Sequence, residues 1–189
     1  PKPKVIFFVP HPDDLEFGAS LMAIEALRLG WEVTEVVMTG GEYGTERDDF
    51  KGNRLSRIRE HELRQTARTY EKGTNRALRI LMMGFVDGHL SLNPSALRET
   101  SQLLKRETPD VVFAPDPWHA IDFHPDHLNT GRLVYFALKS LRSAERPKKC
   151  YFYYSFKTNV ALRCRRKDTK ILHRALLNHQ SQVSPLAAK

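Results

Sequence analysis

Apolar residues in this chain fall into short blocks that switch between two periods. Val5-Ile6-Phe7-Phe8 and Val111-Val112-Phe113-Ala114 are continuous apolar runs, the pattern of strands buried on both faces. Between them, apolar residues recur every three or four positions. Phe17, Leu21, Ile24 and Leu27 mark a helix over 17–29, with Gly30 placed to end it. Alternation from Trp31 to Met38 predicts a second strand, Gly40 to Gly44 a loop, and the polar residues 45–56 a mobile loop. A helix with a charged outer face is predicted over Ile58–Tyr70, a short third strand over Leu78–Met82, and a turn at Asp87-Gly88. Asn93 and Pro94 suit the N-cap and first position of a helix reaching about Arg106. A fourth strand over 110–115, a helix over 127–141, a fifth strand over 150–155 and a helix over 169–180 complete the pattern.

Strands separated by helices imply right-handed parallel crossovers and a sheet covered on both sides. The expected class is α/β: a three-layer, Rossmann-like open sheet, mostly parallel, in strand order 3-2-1-4-5. Residues 1–189 read as one domain. The last segment, Ser184 to Lys189, closes nothing and reads as a truncated end. In such sheets the ligand crevice lies beyond the carboxyl ends of the strands, where strand order reverses. Here that point falls between strands 1 and 4.

Composition narrows the class. No apolar stretch approaches the roughly 18 residues of a membrane span, and Pro1-Lys2-Pro3-Lys4 leads into a strand without a visible signal peptide. Cys150 and Cys164 have no CxxC spacing and read as free thiols, which fits a cytoplasmic protein. Residues 1–132 hold 17 basic and 20 acidic side chains, whereas residues 133–189 hold 13 and 2, so the net charge of +8 comes from the last third. Its densest part, Arg163 to Lys167, lacks interleaved stacking aromatics. That argues for a solvated face, with peripheral contact to an anionic surface as the other use and no specific nucleic-acid reading. A homo-oligomer is compatible with all of this.

Two cassettes carry the chemistry. His11-Pro12-Asp13-Asp14-Leu15-Glu16 follows the first apolar run, and Asp122-Phe123-His124-Pro125-Asp126-His127 follows the second. Both fall just past the strands that meet at the reversal. His11, Asp14 and His127 can give a divalent metal three ligands with a position left open, a mixed set suited to zinc and able to hold ferrous iron. Asp13 is then the candidate general base. His124 could stabilise an oxyanion, protonate a leaving amine or serve as a fourth ligand, and Asp126 could orient it. The bland alternative is that the first cassette merely caps a helix. His61 is expected to be solvated and His173 to lie on the surface. His89 and His119 are candidate substrate contacts from loops, and His179 is expected to cap the last helix.

HPDDxE with a later HPDH resembles the LmbE/PIG-L family of zinc-dependent N-acetylglucosamine deacetylases. Thr39-Gly40-Gly41-Glu42-x-Gly44, Arg59-x-x-Glu62-Leu63-x-x-x-Ala67, Asp87-Gly88 and His179-x-Ser181-Gln182 are similar to further family segments in the same order. The resemblance implies zinc on His11, Asp14 and His127, Asp13 as base, and His124 as the oxyanion-side or acid residue. Glu42, Arg59, Asp87 and Trp118 become expected contacts to a small amino-sugar substrate. Two departures stand out. Gly40-Gly41 occupies a place where the family often has a basic residue, and the chain ends soon after the His-x-Ser-Gln segment. The implied reaction is hydrolysis of an N-acetyl group to acetate and a free amine. Cleavage of another small amide, such as a thiol-sugar conjugate, is the alternative within that chemistry. A nucleotide- or nucleic-acid-binding module is the alternative outside it, opposed by carboxylates in the turn where a pyrophosphate would sit.

Overall fold

The protein is described by a computed structural model covering residues 1–187, with side chains through Val183. Five strands, β1 (Lys4–Val9), β2 (Glu32–Thr39), β3 (Leu78–Phe85), β4 (Val111–Pro115) and β5 (Lys149–Tyr153), form one sheet in the order β3-β2-β1-β4-β5. Every strand pair is parallel; the one antiparallel feature described is an isolated bridge between Ala120 and Ser155. Among the described residues, seven α-helices surround the sheet: α1 (Asp14–Gly18), α2 (Ser20–Arg28), α3 (Asn53–Thr74), α4 (Pro94–Glu107), α5 (Pro125–Ser140), α6 (Arg166–Leu176) and α7 (Gln180–Ala187).

The continuous apolar run of β1 has the cause the sequence suggests. Val5, Phe7 and Val9 join one core with Leu15, Ile24, Leu27, Leu63 and Ile171 from α1, α2, α3 and α6. Ile6 and Phe8 join a second core with Leu103, Leu104, Leu133 and Val134 from α4 and α5. Alternation along a strand sends neighbours to opposite layers, so both parities must be apolar. Each fully buried residue of that size contributes about 1.5–3 kcal/mol, and the two cores fix β1 against β4 beneath the reversal point.

Several boundaries differ from the sequence reading, β3 running on to Phe85 and β5 ending at Tyr153 among them, and four of the differences bear on the crevice. The first predicted helix is two, bent at Ala19 (φ −141°), where the rings of Tyr153 and Tyr154 press on Gly18. Helix α3 starts at Asn53, inside the expected mobile loop. Helix α5 begins at Pro125, two residues early, with His124 as its N-cap accepting from the Asp126 N–H. The last helix is interrupted between Leu176 and Gln180, and His179 turns inward at the break. The expectation of a truncated end rests on Ser184 to Lys189, whose last two residues lie outside the described ones.

Candidate active site

At the carboxyl ends of β1 and β4, residues 11–14 and 122–127 meet, as the strand order requires. The Asp14 Oδ2 atom lies 3.0 Å from His11 Nδ1 and 3.3 Å from His127 Nε2. His11 Nε2 lies 3.0 Å from Asp87 Oδ1 and 3.4 Å from Asp126 Oδ2. Donor atoms of His11, Asp14 and His127, all three side chains largely buried, come within 4.8 Å of one another. A second such group, His11, His124 and Asp126, shares His11 but includes an exposed imidazole. The surrounding pocket, about 700 Å³, is lined among others by Asp13, Phe17, Tyr43, Arg59, Asp122 and Tyr154.

A cation suits the first group. His11 faces carboxylates at both ring nitrogens, which an imidazole satisfies only by carrying two protons. Burial opposes that charge, but hydrogen bonds to Asp126, Asp14 and Asp87 outweigh it and push His11 up to about 11. Burial would raise Asp14, yet His11 and His127 hold it well below the usual carboxylate range. Burial likewise opposes ionisation of Asp87, but His11 and the Tyr43 N–H bring it down to about 2. Two imidazoles around a buried carboxylate are the N/N/O donor set of zinc.

Asp13 sits at the start of α1. Its Oδ1 accepts from Arg59 Nη2 at 2.5 Å, while Arg59 Nη1 donates to Gly41 O at 3.2 Å. The guanidinium side chain is only 4% exposed, so it lies under Asp13 rather than extended into solvent. Gly41 has φ +62°, and a side chain there would collide with the guanidinium. The glycine loop therefore wraps Arg59.

The remaining similar segments prove to be two sides of the same contacts. Glu62 accepts from Ser181 N at 2.8 Å and Ser181 Oγ at 2.6 Å, seating the start of α7. Glu16 pairs with His179 at 2.9 Å and accepts from Tyr70 Oη at 2.6 Å, all three fully buried. Burial disfavours the His179 cation, but Glu16 more than compensates and raises it. Glu42 accepts from the Asp87 N–H and Asp87 from the Tyr43 N–H. Beneath this network Glu35 has both oxygens buried without a partner among the described residues. Burial first, then the charges of Glu16, Asp14 and Asp13, raise it well above the usual carboxylate range.

Asp126 corrects one expectation. It is fully buried, accepts from Gly88 N and Leu90 N, and faces His11. Its backbone N–H, not its carboxylate, meets His124, donating to Nδ1 at 3.2 Å. That bond leaves the proton of a neutral His124 on Nε2. Trp118 lies off the pocket, 53% exposed, against Tyr135, Phe136 and Arg132. Glu42 serves the loop and does not line the pocket. His89 and His119 sit on exposed loops and do not line it, and His61 and His173 are exposed.

Three further lining residues have no role in the sequence reading, and one of them, Tyr154, lies outside every motif. Asp122 Oδ2 lies 3.3 Å from His127 Nδ1, a carboxylate behind that imidazole. Tyr154 stacks on the His127 ring, centroids 5.6 Å apart at 21°. Burial and then the charges of Asp14, Asp13 and Asp122 keep its phenol protonated. Gln182 reaches the rim from α7 and donates to Gly44 O.

The chain matches the PIG-L family, described as GlcNAc-PI de-N-acetylase, over residues 6–138. It is 28% identical over 130 residues to the diacetylchitobiose deacetylase of Thermococcus kodakarensis, covering 69% of this chain and 47% of that protein. It is 31% identical over 151 residues to a probable N-acetyl-alpha-D-glucosaminyl L-malate deacetylase 2 of Bacillus anthracis, covering 76% of this chain and 62% of that one. The chain thus spans roughly half to three fifths of the curated relatives it matches. Among solved structures, N,N'-diacetylchitobiose deacetylase from Pyrococcus horikoshii superposes with a TM-score of 0.82 at 28% identity, covering 95% of this chain and 70% of that one. A conserved protein from Thermus thermophilus gives 0.76 at 27%, covering 95% and 80%. With a match across well over half its length, this chain belongs to the PIG-L family.

Proposed function

We propose that this chain is a zinc-dependent N-deacetylase that hydrolyses the N-acetyl group of a small N-acetylglucosamine-containing substrate, releasing acetate and the free amino sugar. The observation that carries it is the buried His11–Asp14–His127 group with Asp13 beside it at the head of α1. The deacetylase names of the relatives support the substrate class, and the free thiols fit a reducing, cytoplasmic setting.

A zinc ion held by His11, Asp14 and His127 would polarise the amide carbonyl and acidify a water. Asp13 accepts the water's proton as its oxygen attacks the acyl carbon. Arg59 occupies one oxygen of Asp13, so the other is left for that proton. The oxyanion that forms lies within reach of a donor on His124, whose Nε2 carries the hydrogen when Nδ1 accepts from Asp126 N. As the C–N bond breaks, the nitrogen takes the proton that Asp13 accepted and leaves as the amine.

The test is a screen of N-acetylated sugars for equimolar acetate and free amine, with metal analysis of the same protein. About one zinc per chain is expected, largely lost in His127→Ala, together with acetate release from at least one sugar. Zinc-loaded protein that releases no acetate from any of them refutes the reaction. Unchanged zinc content in both His11→Ala and His127→Ala refutes the site.

A further inference from the structure

We propose that Tyr154 is a substrate-contacting residue of this site, its hydroxyl donating a hydrogen bond to the acyl group of the bound amide and to the acetate formed from it. The inference rests on the deacetylase reading and adds a donor to it. Tyr154 has φ +56°, a left-handed backbone that a bulky residue rarely adopts. Such a conformation persists only where its surroundings impose it, and it marks functional sites. Here the imposition is visible on both sides. Asp116 N donates to Tyr153 O, Ile121 N to Tyr154 O and Phe156 N to His119 O, and Ser155 Oγ donates to Asp116 Oδ2 at 2.6 Å. The loop after β4 thus staples the loop after β5 around this one residue.

The strained backbone turns the ring onto the site. It lies over the imidazole of His127, and its tip approaches Gly18, where a side chain would crowd it. The two neighbouring buried phenols are satisfied within the protein: Tyr153 donates to Phe8 O at 2.8 Å and Tyr70 to Glu16 at 2.6 Å. The Tyr154 hydroxyl has no partner among the described residues, although the residue is half-buried and lines the pocket with Asp13, His124 and His127. A phenol left unpaired beside the His127 imidazole, in the pocket it shares with Asp13, Arg59 and His124, meets an acceptor when an acyl oxygen arrives. Stacking alone would need only a phenylalanine.

Tyr154→Phe keeps the ring and removes the donor. The expected result is a fall in kcat/KM of about ten- to a hundredfold, carried mostly by kcat, at unchanged zinc content. Acetate titrated into the zinc-loaded variant should bind at least about fivefold more weakly than to wild type. Tyr154→Ala, which also removes the stack on His127, should in addition lower zinc affinity. Turnover and acetate affinity both within twofold of wild type in Tyr154→Phe would overturn the proposal. If wild type hydrolyses no amide, the deacetylase reading fails by itself. The acetate titration still decides Tyr154, since equal behaviour of the two proteins toward acetate refutes its role.

Discussion

At the scale of single residues, Asp13 and Arg59 form one unit. An aspartate next to Asp14 and near Glu16 needs a counter-charge, and the guanidinium supplies it within hydrogen-bond reach. Asp13→Asn keeps the shape but cannot take the proton. Its rate should fall about a hundredfold or more while zinc content stays near wild type; loss of the metal would make Asp13 a ligand instead. Arg59 is an expected substrate contact and lines the pocket, but buried against Asp13 it is better placed to hold that carboxylate, and this is the role we propose. Arg59→Lys should therefore lower kcat and leave KM nearly unchanged, because lysine keeps the charge without the fork that grips Asp13 and Gly41 together. A raised KM at normal kcat would return Arg59 to substrate binding. The sequence does not decide this, since Arg59 sits in a helix whose polar residues mask which face turns inward.

At the scale of elements, the late segment around α7 is the hardest to read. His179-x-Ser181-Gln182 has the composition of helix-end capping, and only the fold shows its partners on α1 and α3. Sequence periodicity reports faces that meet water or apolar neighbours, not polar pairs 163 residues apart. His179→Ala would leave Glu16 charged and buried, so a loss of about 3–5 kcal/mol in unfolding free energy is expected. His179→Gln, which can still donate to Glu16, should recover part of it. Thermal or denaturant unfolding of both variants checks this, and near-wild-type stability in the alanine variant would show that Glu16 finds its compensation elsewhere. The strands, by contrast, are legible because burial on both faces leaves no polar position in the body of β1, and α4 because Asn93 and Pro94 write its start; Asn93 does accept from Ser95 N and Ala96 N. Helices α1 and α2 read as one because nothing in residues 14–29 announces the rings of Tyr153 and Tyr154 pressing on Gly18.

At the scale of the whole molecule, strand order joins the two cassettes. Parallel pairing of β1 with both β2 and β4 makes the reversal, and the order 3-2-1-4-5 read from the sequence is the one observed. Residues more than a hundred positions apart thereby share one acidic cluster, and its charge would couple the proposed metal to proton binding and stability. In the ion-free protein, His11 is raised from 6.5 to about 11. Its stabilising contribution is then complete below about pH 6.5 and is lost as pH rises through about 11. Asp87, lowered to about 2, is the other side of the same contact: its contribution is present above its ordinary value of 3.8 and is lost as pH falls through about 2. A metal must displace the His11 proton, so its binding strengthens with pH while the ion-free protein weakens. One proton released per ion corresponds to about 1.4 kcal/mol per pH unit, or about 3–6 °C in a domain of this size. Melting curves with chelator and with zinc should therefore diverge between about pH 6.5 and 8.5, the zinc-loaded Tm gaining on the chelated one at each step. Calorimetry in buffers of different ionisation enthalpy should count about one proton released per zinc near neutrality. A zinc-induced rise in Tm that stays constant across that range, with no proton released, would mean that His11 is already neutral and that the carboxylates around it are not what holds the ion-free cluster together.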